Sequence, residues 1–348
     1  MKKMYSVLLA SAIILSLITG CGNTSQPGTP KTPENTQVNT DPAPEQVTYR
    51  YAELAETNHP LTEDAHFFAD RVSELSGGRI NIEIYDNAQL GAEKEAVQGT
   101  QMGSIDFVRA TTTLLADFNL PMLNVMGLPY IFQNREHCWN VLSGDIGKEV
   151  LSYISEQDTG LVGLWFAEEG QRNMILVDGP VSKLSEIQGR KIRVNNAGLM
   201  IDAINAMGAS AVPMAYTEVY SSLQSGVIEG LENIASGYNS AAHYEVAPYY
   251  TMSRHITLVD VVCVNENVWN GMSEEDRQII LQASADTQVF AKENAEKAEN
   301  AAMEELTGKG VTITEVDNPQ EWRDALQPVI EKYGAGYEDI ISQISALA

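Results

Sequence analysis

The chain has 348 residues, with 47 Asp and Glu against 22 Lys and Arg, for a net charge of −25. That balance excludes nucleic acid as a partner, because phosphate binding needs a basic face, and it argues against lying flat on anionic lipid. The acidity favours solubility, and attraction for an anionic ligand has to be local.

Residues 1–21 read MKKMYSVLLASAIILSLITGC, with two lysines, an apolar run and a small residue before Cys21. This predicts a signal peptide over 1–20 rather than a membrane span, since the uninterrupted apolar run is too short and no stop-transfer flank follows. Leu17-Ile18-Thr19-Gly20-Cys21 has the form of a lipobox, in which the cysteine becomes the lipidated first residue. Acyl chains there would hold the protein at the outer face of the cytoplasmic membrane, each buried CH₂ contributing ~0.8 kcal/mol. A plain signal peptide with an incidental cysteine is the alternative. Residues 21–46 are mostly Thr, Pro, Asn, Gln and Gly, a composition that cannot bury enough surface to fold, and they predict a disordered tether.

From Val47 onward strand and helix signals alternate. A strand is expected over 48–54, an amphipathic helix over 61–75 ended by Gly77-Gly78, and a strand over 80–85. A helix over 93–102 and a strand over 105–109 follow. These are successive βαβ units, which build a parallel sheet with helices on its faces. The runs 161–166 and 258–264 read as apolar strands near crossings between two lobes. Cys138 falls on a predicted helix, 136–142, and Cys263 on a predicted strand. Two cysteines in a folded region of ~300 residues make no disulfide framework, so they read as small buried apolar residues, with a single bridge as the alternative. The five histidines show no metal-ligand spacing.

In the second half, Lys191–Val194 alternates as a strand, with Ile192 and Val194 on one face and Lys191 and Arg193 on the other. Asn195 or Asn196 is the expected cap of a helix marked by Leu199, Met200, Ala203, Ile204 and Met207 and stopped by Gly208. A short echo, QMGSID at 101–106 against QSGVIE at 224–229, fits two lobes built alike. Ser273 opens a long helix, with Asp276 at capping-box spacing, that runs to Leu306. At 1.5 Å per residue it is about 50 Å long, more than one lobe is wide. The tail, 319–347, predicts two helices on the second lobe, and its Tyr333-Gly-Ala-Gly-Tyr337 lacks the spacing of a phosphate loop. The expected fold is therefore α/β and two-lobed, with 47–168 and 259–298 in one lobe and 169–258 and 299–348 in the other.

Residues 189–233 say most about function. Arg193 ends a strand just ahead of a helix start, where open α/β sheets bind ligands and where N–H groups favour anions. A guanidinium adds a planar fork that fits a carboxylate. An arginine at a strand end is otherwise a surface or ion-pair residue.

The same stretch resembles the solute receptors of tripartite ATP-independent periplasmic (TRAP) transporters, of the C4-dicarboxylate-receptor type. Their pattern is G-x-K-(I/L)-R-V, then A-x-P-x-P-M-A-(F/Y)-x-E-V-Y-x-(A/S)-L-Q-x-G-x-(I/V)-(D/E)-G-x-E-N. Here it reads nearly unbroken over 189–194 and 209–233. Further likeness runs along the mature chain, including 67–78, 82–91, 103–107 and 128–132. The resemblance implies a type II periplasmic-binding-protein fold with a long helix along both lobes. It also implies that Arg193 bridges a ligand carboxylate with two hydrogen bonds. By the same likeness Asn233 contacts that carboxylate or a neighbouring hydroxyl, Tyr216 packs on the ligand, and Arg172 enters the cleft from the interlobe crossing. Leu231 stands where related receptors often carry a polar residue. Taken alone, Asn233 would be a turn residue, Tyr216 a core aromatic and Arg172 part of a solvated loop.

Asn196 is either the helix cap or a ligand donor as well. Arg109 precedes Thr111-Thr112-Thr113 and leaves two readings open. In one, Arg109 and Thr111 read a second anionic group or hydroxyls on the ligand. In the other, Arg109 pairs internally with Glu53, Glu56 or Glu93, since a buried charge needs compensation. Glu56 and His59, in the loop after the first strand, join the contact set with Glu93, although a histidine beside proline is usually structural.

Catalytic signatures are missing: the chain has no G-x-S-x-G, no H-E-x-x-H, no P-loop and no G-x-G-x-x-G after a strand. Glu168 and Glu169 are adjacent, so in extended chain they point apart. The expectation is a monomeric, lipid-anchored, extracytoplasmic solute receptor without cofactor or metal. It would take a small organic acid, a uronate-like sugar acid or a C4-dicarboxylate, and pass it to TRAP membrane subunits. An exported enzyme acting on sugar acids, or a ligand-sensing partner of a signalling receptor, are the alternatives.

Overall fold

A computed structural model describes residues 46–348. The predicted signal peptide, Cys21 and nearly all of the predicted tether lie outside the described residues.

Nine strands occur among the described residues: β1 Val47–Ala52, β2 Ile80–Tyr85, β3 Phe107–Thr111, β4 Leu161–Leu176, β5 Lys191–Val194, β6 Ser210–Pro213, β7 Gly230–Asn233, β8 Tyr249–Asn265 and β9 Thr312–Glu315. Their order is β2-β1-β3-β8-β4-β7-β5-β6, with β9 on β8. β1 pairs in parallel with β2 and β3, and β5 in parallel with β6 and β7. β3 then meets β8, and β7 meets β4, antiparallel. One arrangement therefore occurs twice, which makes the fold two-lobed. The echo segments sit at equivalent places, 101–106 leading into β3 and 224–229 into β7.

The apolar runs at 161–166 and 258–264 are only the ends of much longer strands, of 16 and 17 residues. β4 and β8 pair with each other and pass from one half of the sheet to the other. The polar run 168–173 continues the strand, and the solvated loop that was the alternative reading of 170–173 is not formed, because Glu168, Arg172 and Asn173 all find partners inside the protein. The β4–β8 register slips at Gly163/Trp165, Glu168/Gly170 and Arg172/Met174. Such bulges bend and twist a strand, and Gly170 meets the bend with φ +115°.

Helix Pro60–Leu75 and helix Glu274–Gly308 pack together, held by Arg71–Asp286 at 2.6 Å and by Asn294 donating to Asp64 at 2.9 Å. Ser273 caps the long helix by accepting from Asp276 N at 3.0 Å, as its sequence predicts. Further along, Glu299 accepts from Ala235 and Ser236 N, both at 3.0 Å, so this helix touches both halves. The main core centres on Phe68, Phe107, Trp139 and Trp165, and a smaller one beneath β7 gathers Leu231, Tyr238, Tyr250 and Leu306. Cys138 and Cys263 are buried and unpaired.

The tail does not sit on the second half alone. Tyr333 donates to Asp202 at 2.8 Å, while the carbonyl of Ile344 meets His137 Nε2, in the first half, at 2.8 Å. Among the described residues no helix is long and apolar enough to cross a membrane.

Candidate functional site

The ends of β1, β3, β5 and β7 converge with the bulged middle of β4 around a cleft of about 630 Å³, its open mouth included. Arg193 reaches it because β5 alternates, with Ile192 and Val194 fully buried in the core between which it stands. Arg193 is only 3% exposed, yet its Nε and Nη2 donate solely to the carbonyl of Met214, at 3.2 and 2.9 Å. Tyr216 lies under it, 5.6 Å from ring centroid to Cζ. Among the described residues no Asp or Glu is within ion-pair distance of Arg193. Burial lowers its pKa, the signature of a cation short of a counter-charge.

The helix behind it starts later than expected. Ala197 holds the N-cap position and the helix is Gly198–Ala206, so neither Asn195 nor Asn196 caps it in the ordinary sense. Asn195 Oδ1 accepts from Ala197 N at 3.3 Å, and its Nδ2 donates to Thr111 Oγ1 at 3.4 Å. The first helical amide, Gly198 N, donates to Asp117 Oδ2 at 3.0 Å. That amide is thus occupied by a protein carboxylate, and the attraction for an anion rests on Arg193. Asn196 is exposed at the cleft wall.

The other two arginines are already compensated. Arg172 pairs through Nη1 with Glu169 and through Nε with Glu232, and its Nη2 also donates to the Glu232 carbonyl at 2.7 Å. Arg109 donates from Nε to Glu53 Oε2 at 2.8 Å, pairs through Nη2 with Glu53 Oε1, and donates from Nη1 to Asp260 Oδ2 at 2.7 Å. Of the internal partners considered for it, Glu53 is present and Glu56 and Glu93 are not, while Asp260 is added by the β3–β8 pairing. Arg109 still borders the cleft. Burial pushes the Asp260 carboxyl up against the pull of Arg109.

His59 caps helix Pro60–Leu75, its Nδ1 accepting from Leu61 N at 3.2 Å, and it also lines the cleft. Burial, with Arg109 nearby, lowers its pKa to about 4. Asn233 Oδ1 accepts from Ile234 N at 2.9 Å, leaving a buried Nδ2 without a partner. Tyr216 donates to the Gly237 carbonyl at 3.1 Å and packs edge-on against His243. Glu93 accepts from Thr111 N at 2.7 Å, and burial raises its pKa. Glu56 is not among the lining residues; its carboxyl lies beside Ser240, and burial raises its pKa too. Sequence reasoning missed Glu169, Asn195, Met214 and Leu258 as lining groups. Of these only Asn195, two residues from Arg193 on the same strand face, carried a usable signal. Among the described residues no cluster of His, Cys, Asp or Glu could hold a metal ion.

A two-lobed α/β fold around a polar interlobe cleft is the architecture of periplasmic ligand-binding proteins. Residues 51–336 match the bacterial extracellular solute-binding protein family 7, and the chain belongs to this DctP family of TRAP solute-binding proteins. A solute-binding protein of Chromohalobacter salexigens is 33% identical over 83% of this chain and 85% of its own. The C4-dicarboxylate-binding protein DctB of Bacillus subtilis is 27% identical over 83% of both chains. Among solved structures, a TRAP periplasmic solute-binding protein from Pseudomonas putida F1 with bound D-glucuronate superposes with a TM-score of 0.83, at 29% identity over 86% of this chain and 97% of that one.

Proposed function

We propose that this protein is the extracytoplasmic receptor of a TRAP transporter and captures a sugar acid of the uronate type. The carboxylate forms a two-bonded bridge with Arg193, and the bound solute is passed to the membrane subunits. The observation that carries the reading is the contrast between Arg193, buried without a carboxylate, and Arg109 and Arg172, each tied to two. A single uncompensated cation suits a single anionic group. Glu93 and Glu169 also line the cleft. They would repel a second carboxylate and accept hydrogen bonds from hydroxyls, which favours a sugar acid over a C4-dicarboxylate. The bound D-glucuronate of the similar Pseudomonas putida structure supports that choice.

The lobes would divide at the bulged middle of β4 and β8, with 47–168 and 259–298 closing on 169–258 and 299–348. Ligand held by both lobes binds the closed form better and shifts the population toward it. Cys21 would carry the lipid anchor at the outer face of the cytoplasmic membrane. A thermal-shift and calorimetric panel of D-glucuronate, D-galacturonate, D-galactonate, succinate and malate tests the reading. Saturating sugar acid at 100 times its dissociation constant should add ~2.7 kcal/mol of stability. Binding of the dicarboxylates with indifference to the sugar acids would refute it.

A further inference from the structure

Strand β8 is continuous, yet its ladder with β4 breaks widely at one place. Arg172 stands opposite Ile256 and Met174 opposite Thr251, so four residues of β8, 252–255, face the single residue Asn173. This bulge falls between the part of β8 that pairs with β3, from Asp260 to Val264, and the part that pairs with β9, from Tyr249 to Met252. It therefore lies where the strand passes from one half of the fold to the other. Arg254, inside it, has φ +46°, a conformation that a residue with a Cβ holds only when its surroundings impose it.

The bulge is held from two sides. From β4, Asn173 Oδ1 accepts from Arg254 N at 3.0 Å, and Met174 N donates to Ser253 Oγ at 3.2 Å. The Ser253 hydroxyl then donates to His255 Nδ1 at 2.9 Å. From the opposite side comes Tyr130, in the turn after Pro121–Gly127, which is itself left-handed at φ +57°. Its N donates to the His255 carbonyl at 3.3 Å and its Oη to the Ser253 carbonyl at 3.5 Å. Arg323, on helix Pro319–Gly334 of the tail, lies over the Tyr130 ring with Cζ 4.1 Å from the centroid. Ladder bonds are missing at the bulge, so it is a point where β8 bends readily, and strained residues at the ends of elements are those that absorb a change of φ and ψ.

We infer that the bulge 252–255 is the hinge of β8, and that Tyr130, pressed onto it by Arg323, is a clamp that favours the arrangement with the halves together. The inference rests on the reading of the two halves as lobes that close on an acid. Its direction follows from the company the clamp keeps. The same arrangement holds the bonds from Asn195 to Thr111 and from Gly198 to Asp117, which join the halves. A contact made in one arrangement and lost in the other shifts the population toward the first. Through this clamp a tail helix outside the cleft sets how tightly solute is held without touching it.

Calorimetry with D-glucuronate and hydrogen exchange of the ligand-free full chain test the clamp together. Arg323 is exposed, so Arg323→Ala should melt within about 2 °C of wild type, yet bind about threefold more weakly. Exchange in segments 170–176 and 250–257 should quicken about threefold while β1 and β3 keep their rates, a pattern that a general loss of stability would not give. Arg323→Lys keeps a cation over the ring and should restore most of the affinity. Arg254→Gly should act in the opposite direction. Glycine takes φ +46° without strain, and the exposed pair with Glu315 that it gives up contributes little, so binding should tighten about threefold. Wild-type affinity and exchange in Arg323→Ala, or unchanged or weaker binding in Arg254→Gly, overturns the proposal. Arg193→Ala, expected to lose at least a hundredfold, tests the acid-binding reading separately. If wild type binds no acid of the panel, that reading falls, and exchange in the ligand-free variants still decides the clamp.

Discussion

Oδ2 of Asp117 accepts a hydrogen bond from Gly198 N at 3.0 Å, so a residue that follows β3 caps the helix that follows β5. The bond joins elements of the two halves of the duplicated sheet. The approach is close: a Cβ at 198 would lie 3.3 Å from Tyr333 Oη, which would have to give by a few tenths of an ångström, and 3.4 Å from Asp117 Oδ1, an ordinary contact. Asn195 Nδ2 to Thr111 Oγ1, at 3.4 Å, makes a second bridge between the same halves. Both bonds require the halves together, so they favour the closed arrangement.

Asp117→Ala should therefore weaken ligand binding without weakening the fold. Losing a helix cap costs about 1 kcal/mol, or about fivefold in affinity, and Asp117 is exposed, so the loss should not exceed that. Stopped-flow measurements should place the change in a faster dissociation rate. A matching fall in the ligand-free melting temperature would show instead that the bond belongs to the fold as such.

Arg193→Ala should lower affinity for D-glucuronate at least a hundredfold, since truncating one side of a buried charged pair costs about 2–5 kcal/mol. The ligand-free variant should melt at the wild-type temperature or above it, because a buried cation without a counter-ion is removed. Arg193→Lys should recover only part of the loss, as an ammonium cannot make the two parallel bonds of the fork. Near-normal affinity in Arg193→Ala, measured by calorimetry, would take this residue out of the site.

Those residues show which signals the sequence carries. Ser273 and Asp276 announce the long helix because a cap is a local event, and β2 and β5 end where their alternation ends. The position of Arg193 on the cleft face of β5 follows from the same period of two. Asp117 does not announce itself as the cap of a helix 81 residues away, whereas Asn195 and Asn196, the local candidates, do not hold the N-cap position. The polar run 168–173 looks like loop because nothing within it shows that Trp139 and Arg135 will meet Glu168, or that Glu232 will meet Arg172. Asp260 finds Arg109 only through a strand pairing that spans 151 residues. Local chemistry was legible, and the partners of buried charges were not.

Arg109→Met should destabilise the fold by about 3–5 kcal/mol near pH 7.5, because it leaves Glu53 and Asp260 buried without their shared cation. The loss should be smaller near pH 5, where protonation relieves the stranded Asp260 carboxylate, which burial already pushes up. Urea unfolding at both pH values measures it. A variant as stable as wild type that binds sugar acid poorly would move Arg109 from the scaffold to the ligand.

Asp64 offers a test by pH. Asp64 is 1% exposed, and its carboxyl accepts from Asn294 Nδ2 at 2.9 Å. Burial raises its pKa to about 7, the Asn294 bond opposing and Glu53 adding to the rise. The unfolded chain releases this proton near pH ~4, so between pH 4 and 7 the folded state holds a proton that the unfolded state lacks. The stability this gives is fully present below pH 4 and is lost as the pH rises to 7, at up to about 1.4 kcal/mol per unit. His59 and His243, with pKa values lowered to about 4, and His255, lowered to about 3, act in the opposite sense. As the pH falls below ~6.5 the unfolded chain takes up protons that these buried rings refuse, so they remove stability on the acid side. The terms oppose one another in wild type and drop out of a difference. Between pH 4.5 and 7.5, the unfolding free energy of Asp64→Asn relative to wild type should move in the variant's favour by about 3 kcal/mol. A difference that stays flat across that range would mean that Asp64 is as ionised in the fold as in the unfolded chain.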